Sequence, residues 1–124
     1  MDMNDISVLG NLVDTTFGKS SSSSGTHSIK CSLAGSNLTM TYSTIVHFAS
    51  ESSLHLQVLQ CAEEATQRLD SYLADIKKEF KTASGNTLKT TKGNGDDNVE
   101  LISATANSPR KIAYYRMNWV LPIG

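Results

Sequence analysis

Between Leu54 and Phe80, apolar side chains recur at spacings of three and four: Leu54, Val58, Cys61, Ala62, Ala65, Leu69, Tyr72, Leu73, Ile76 and Phe80. That period gathers them into one stripe of an α-helix, because 3.6 residues complete each turn. Ser52 or Ser53 is placed to cap its start with a side-chain oxygen. Lys77, Lys78 and Lys81 collect at its end, where positive charge suits the helix dipole, and Gly85 can adopt the left-handed conformation that stops it. The spacing therefore predicts a helix over about Ser53 to Ala83, roughly 45 Å long. Glu63, Glu64, Gln67, Arg68, Asp75 and Lys78 form its wet face, with Glu64 and Arg68 at a supportive four-residue spacing.

The helix needs a platform. On its N-terminal side, Ile29, Cys31 and Leu33 alternate with polar residues, Ala34 to Asn37 supply turn chemistry, and the return strand Leu38–Phe48 puts Leu38, Met40, Tyr42, Val46 and Phe48 on one side. Beyond it, Thr87–Thr91 is a short strand candidate and Lys92–Asn98 reads as a polar loop. Val99–Ala106 and Lys111–Leu121 then flank the turn residues Asn107 to Arg110. In the last strand both faces carry apolar bulk, which suits a central or doubly covered position. The expectation is an α+β fold, ββαββ: an antiparallel sheet of about four strands with one long amphipathic helix across it.

Residues 1–25 differ from the rest. One short apolar patch, Ile6, Val8, Leu9, Leu12 and Val13, precedes Phe17 and the serine run Ser20 to Ser24, which has no apolar face to offset its ordering entropy. The expected organisation is an extended N-terminal arm and Ser-rich linker over 1–25, followed by a single α+β domain over 26–124.

With 11 basic and 12 acidic residues, the net charge is -1, which gives no global field for nucleic acid or an acidic membrane. The acidic start, with Asp2 and Asp5, does not read as a secretory signal, and no run approaches the ~20 apolar residues of a membrane span. Cys31 and Cys61 lack metal or redox spacing and read as buried thiols of a reducing compartment.

Chemistry-bearing patterns are few. Gly18-Lys19-Ser20 resembles the end of a phosphate-binding loop, but Val13 stands where that motif needs its first glycine. Asp96 and Asp97 in a glycine-rich loop offer oxygen atoms without calcium-loop spacing, so a solvated hairpin tip is expected. His27, His47 and His55 share no ligand geometry on one helix face, although His47 and His55 could meet where sheet gives way to helix. Tyr114, Tyr115, Arg116 and Trp119 mix aromatic and basic residues as single-strand nucleic-acid sheets do. Alternation divides them: Tyr115 and Trp119 go with the core, and Tyr114 and Arg116 with the other face. No catalytic, cofactor-binding or metal site is expected, and the chain reads as no enzyme.

Positively, a helix of ~45 Å overhangs four strands spaced about 4.8 Å apart, and its stripe stays apolar along its whole length. A projecting apolar end costs about 25 cal/mol per Å2 unless a partner covers it. The sequence thus predicts a structural or assembly subunit, an oligomer or complex member. Its partners would be other copies of itself or other structural proteins, with no membrane and nucleic acid disfavoured. Contacts are expected through Ile6, Val8, Leu9 and Phe17 of the arm and through Tyr114 and Arg116 of the sheet. The alternative is a small adaptor or chaperone-like module capturing a peptide at a sheet edge.

From Gly85-Asn86-Thr87-Leu88-Lys89, through Val99-Glu100-Leu101-Ile102, to Arg110-Lys111-Ile112-Ala113-Tyr114-Tyr115-Arg116, the chain resembles small virion proteins of tailed bacteriophages from the neck, tail or baseplate. The resemblance implies a repeated subunit that joins its neighbours through a sheet and an N-terminal arm. It implies a place in the virion if the chain is phage-derived; otherwise the acidic start and the lack of a spanning run lead to the expectation of a cytoplasmic protein. It carries over no functional residue.

Overall fold

The computed structural model describes residues 3–17, 21–22, 27–91, 95–103 and 111–123. The fold is α+β. Helix α1 (Met3–Leu12) runs on into a π-helical turn (Val13–Phe17). The two-residue strand β1 (Ser21–Ser22) and the hairpin β2 (His27–Ala34) and β3 (Asn37–Phe48) precede the long helix α2 (Glu51–Ser84). Strands β4 (Gly95–Ser103) and β5 (Lys111–Pro122) close the chain. Four full strands and the short β1 form one open antiparallel sheet in the order β1-β2-β3-β5-β4.

The β2–β3 hairpin turns through Gly35 and Ser36, with Ala34 opposite Asn37. Gly35 has φ 61°, the left-handed conformation a two-residue hairpin loop asks for at its first central position. The register then sets Met40 between Cys31 and Trp119, and Tyr42 between Ile29 and Met117. Period two does the rest. Leu38, Met40, Tyr42, Val46 and Phe48 of β3 share a buried face with Ala113, Tyr115, Met117, Trp119 and Leu121 of β5.

Helix α2 covers that face with Ala65, Leu69, Ile76 and Phe80, all fully buried. Its cap is Ser50, earlier than the expected Ser52 or Ser53, and the Ser50 hydroxyl accepts from Ser53 N–H at 3.2 Å. At the other end Gly85 has φ 77° and donates its N–H to the Lys81 carbonyl, while Lys81 Nζ donates back to the Gly85 carbonyl. At 34 residues the helix is about 51 Å long. Toward its N-terminal end Leu54, Val58 and Cys61 are half-buried and pack against the core, and complete burial begins at Ala65.

The N-terminal segment departs from the expected extended arm. Its residues 3–12 are helical, and Leu9 and Val13 are buried in the chain's own core. Asn86 Nδ2 donates to both carboxylate oxygens of Asp5, at 3.0 and 3.2 Å, pinning α1 to the end of α2. The spacing of Ile6, Leu9 and Val13 is itself helical, and tertiary contact stabilises a helix too short to persist alone. Two serines of the run, Ser21 and Ser22, pair with β2; Ser20, Ser23 and Ser24 lie outside the described residues.

Two further boundaries move. Thr87–Thr91 contributes a single bridge, Thr90 to Ile123, rather than a strand. Strand β4 begins at Gly95, so Asp96, Asp97 and Asn98 are strand residues and not loop, because pairing with Trp119 to Arg116 extends the ladder past the polar stretch. The turn expected at Asn107 to Arg110 lies outside the described residues.

Candidate protein-interaction surfaces

The chemistry-bearing side chains are dispersed or engaged within the fold. His27 Nδ1 and the Tyr42 hydroxyl share a 2.7 Å hydrogen bond, with the rings stacked 5.8 Å apart. His47 lies opposite Ile112 on the sheet face away from α2, while His55 lies on α2 itself, so the sheet separates the pair that the sequence reading brought together. Burial pushes the Cys31 thiol up to about 12, and burial followed by the neighbouring Glu64 raises that of Cys61, so both stay protonated at neutral pH. Asp96 and Asp97, adjacent on β4, point to opposite faces. No group of three or more His, Cys, Asp or Glu residues that could hold a metal ion occurs among the described residues. Gly18-Lys19-Ser20 lies outside them.

What the fold leaves open is surface. The first surface is the sheet face away from α2, which no described element covers. Across it, Ile45 of β3 stands opposite Tyr114 of β5, and Thr39 opposite Val120. Ile45 and Val120 are 43% and 44% exposed, Arg116 is exposed, and Tyr114 is half-buried. The face is otherwise polar, with Thr41 Oγ1 donating to Asn118 Oδ1 at 2.7 Å and Ser28 and Ser43 hydroxyls 3.2 Å apart.

The second surface is the β4 edge and the groove above it. Glu51, Leu54, His55 and Val58 of α2 and Val99 of β4 line a cavity of about 410 Å3. Leu56 is 62%, Leu59 56%, Val99 40% and Leu101 56% exposed. Leu59 lies about two turns before Thr66 on the same flank of α2, and Thr66 Oγ1 reaches Met117 Sδ of β5 at 3.9 Å. Leu59 therefore lies on the side of the helix toward β5 and β4, whereas Leu56, nine residues before buried Ala65, falls on the opposite, outer face of α2.

The six expected contact residues divide. Leu9 is spent in the core. Ile6 is partly exposed and, with Leu9, Leu33, Gly35, Ser36 and Ile123, lines a pocket of about 250 Å3; Val8 is half-buried. Phe17 ends the π-helical turn, and its side chain lies outside the description. Tyr114 and Arg116 sit together on the open sheet face. Sequence reading missed Leu56, Leu59, Val99 and Leu101. The available signal was the crowding of Leu54, Leu56, Val58 and Leu59 into two turns, more apolar residues than one stripe can bury.

No protein-family description, curated protein or solved structure matches the chain. No helix among the described residues is long and apolar enough to cross a membrane.

Proposed function

We propose that this chain is a non-enzymatic structural subunit that works by joining other chains of a multi-subunit particle. The observation that carries this reading is the exposed set Leu59, Val99 and Leu101 on the β4 side of the molecule, beside a strand edge that no described strand pairs with. Each exposed apolar area forgoes about 25 cal/mol per Å2 that a covering partner would recover. Large apolar side chains exposed on one side of a molecule mark an interaction site more often than scattered surface leucines do. The resemblance to tailed-phage virion proteins agrees in kind, and makes a neck, tail or baseplate component the specific form of the proposal.

With Leu9 and Val13 engaged internally, the joining surfaces are the β4 side and the open sheet face bearing Tyr114 and Arg116, with Ile6 a lesser contributor. Sedimentation velocity over a micromolar concentration range tests this, alone and with proteins copurifying from the native source. Association is expected. A chain that stays monomeric, and is recovered from its source without companions, rejects the proposal.

The β4 edge, which no described strand pairs with, also favours a second reading, an adaptor that captures an extended peptide by strand addition. It predicts a monomer that is stabilised by its client, and not a fixed stoichiometry within a particle.

A further inference from the structure

The two edges of the sheet are treated differently. At one, Ser21 and Ser22 pair with Ile29 and Ser28 of β2, and the π-helical turn packs against the same strand. The N-terminal segment thus blunts that edge, as edge strands in monomeric proteins usually are blunted. At the other, β4 pairs with β5 on one side and with no described strand on the other.

The charged side chains of β4 itself are all acidic, and the one described cation beside them, Arg116 of β5, stands opposite Asn98 on the inner side of the strand, away from the bare edge. Asp96 and Glu100 lie on the open face, Asp97 faces the helix side, and Glu51 lines the groove above. No lysine or arginine occurs between Glu51 and Gln67 or between Gly95 and Ser103. Val99 lines the groove with Leu54 and Val58, Leu101 and Asp97 share its side of the sheet, and Asp96 and Glu100 lie on the other side.

We infer that the β4 edge receives an extended segment of another polypeptide in which apolar residues alternate with lysine or arginine. The added strand takes its main-chain hydrogen bonds from β4. Its apolar side chains enter the groove lined by Val99, Leu54 and Val58 and cover Leu101 and Leu59, and its basic side chains lie beside Asp96 and Glu100. This deepens the subunit reading, and rests on it, by naming the chemistry of one neighbour. A second copy of β4 is a poor occupant. The register that opposes Val99 to itself places Glu100 diagonal to its own symmetry mate and Asp96 diagonal to the other Glu100, gathering like charge in one ribbon.

Three fluorescein-labelled peptides test the inference by anisotropy against the full chain: alternating lysine and valine, alternating glutamate and valine, and a block sequence with the composition of the first. The alternating lysine peptide should bind at least about tenfold more tightly than either other and should slow amide exchange within Asn98–Leu101. The double variant Asp96→Lys, Glu100→Lys should reverse the preference between the two alternating peptides, and Leu101→Lys should weaken binding of both. All three positions are exposed, so the fold should survive, and a thermal melt checks that it does. Equal binding of the three peptides, or a preference unmoved by the charge reversal, overturns the inference. So does a dimer in sedimentation that Leu101→Lys dissolves, because the occupant is then a second copy. Assembly that persists in the Leu101→Lys variant but is lost in Tyr114→Ala, Arg116→Ala overturns the edge inference while leaving the subunit reading standing.

Discussion

The hydroxyl of Tyr115 donates a 3.1 Å hydrogen bond to Asp97, tying a fully buried side chain of an interior strand to the exposed edge strand. It holds β4 where the ladder register puts it, with Val99 directly opposite Tyr115. Burial first, and then the charge and hydrogen bond of Asp97, raise the tyrosine's pKa, so it remains a donor at neutral pH and into the alkaline range.

Removing that bond should weaken the edge. Tyr115→Phe is expected to cost about 0.5–1.5 kcal/mol in urea unfolding, the usual net value of one such bond. Asp97→Ala should cost a similar amount, and the double variant little more than either single one, since each deletes the same interaction. Additive losses would show that the two groups are uncoupled. Amide exchange within β4 should rise in both single variants, because local opening is easiest at a sheet edge.

The N-terminal segment gives a second test. Leu9 is completely buried and Ile6 is partly exposed, one helical turn apart. Leu9→Ala should lower stability by about 2–5 kcal/mol, as expected for a large buried side chain, whereas Ile6→Ala should stay within about 1 kcal/mol. A free arm that only binds neighbours would leave the isolated chain indifferent to both changes.

These residues also show why the fold was largely legible in the sequence and the surfaces were not. Alternation along Leu38–Phe48 and Lys111–Leu121 and the stripe from Leu54 to Phe80 each state their own period, and each became the expected element. Leu9 and Val13 stated a helical period over too few residues to outweigh the serine run that follows. Asp96 to Asn98 looked like a loop because a strand edge facing solvent tolerates polar residues that an interior strand would not, and only pairing with β5 decides the matter. Leu56 and Leu59 are unremarkable until the helix is laid on the sheet by its stripe, which leaves both of them outside the contact.

Alkaline pH supplies a third prediction. Burial raises Cys31 from 9.0 to about 12, and Tyr42 and Tyr72 from 10.0 to about 12. In each case the folded chain holds a proton that the unfolded chain releases first, so stability is intact below pH 9 and falls as pH rises from there toward 12. The cysteines act first, since Cys61 is raised from 9.0 as well. Cys31→Val should make the decline between about pH 9 and 10 shallower, and Cys31→Val with Cys61→Ala should delay its onset by about one pH unit, to the range where the tyrosines begin to ionise, as followed by urea midpoints between pH 8 and 11. An unchanged onset in the double variant would mean that both thiols are as free to ionise in the folded chain as in the unfolded one.

The start of β4 offers the sharpest steric test. Gly95 lies opposite Trp119, and a Cβ added there would stand 2.8 Å from the indole Nε1 and 2.9 Å from Cδ1. Carbon does not approach a ring atom so closely, so either the indole or the strand must move. Trp119 is buried against the core on its other side, which leaves the exposed strand to give way. Gly95→Ala should therefore cost about 1–3 kcal/mol, with the damage confined to the first residues of β4. The chain has a single tryptophan, so its fluorescence reports the displacement directly. A shifted emission spectrum and faster exchange at Asp96 and Asp97, with Val99 to Leu101 unchanged, are the expected result. Unaltered emission and stability would mean that β4 does not pair with β5 as far as Gly95. The bare edge available to an incoming strand would then be shorter by its acidic first half.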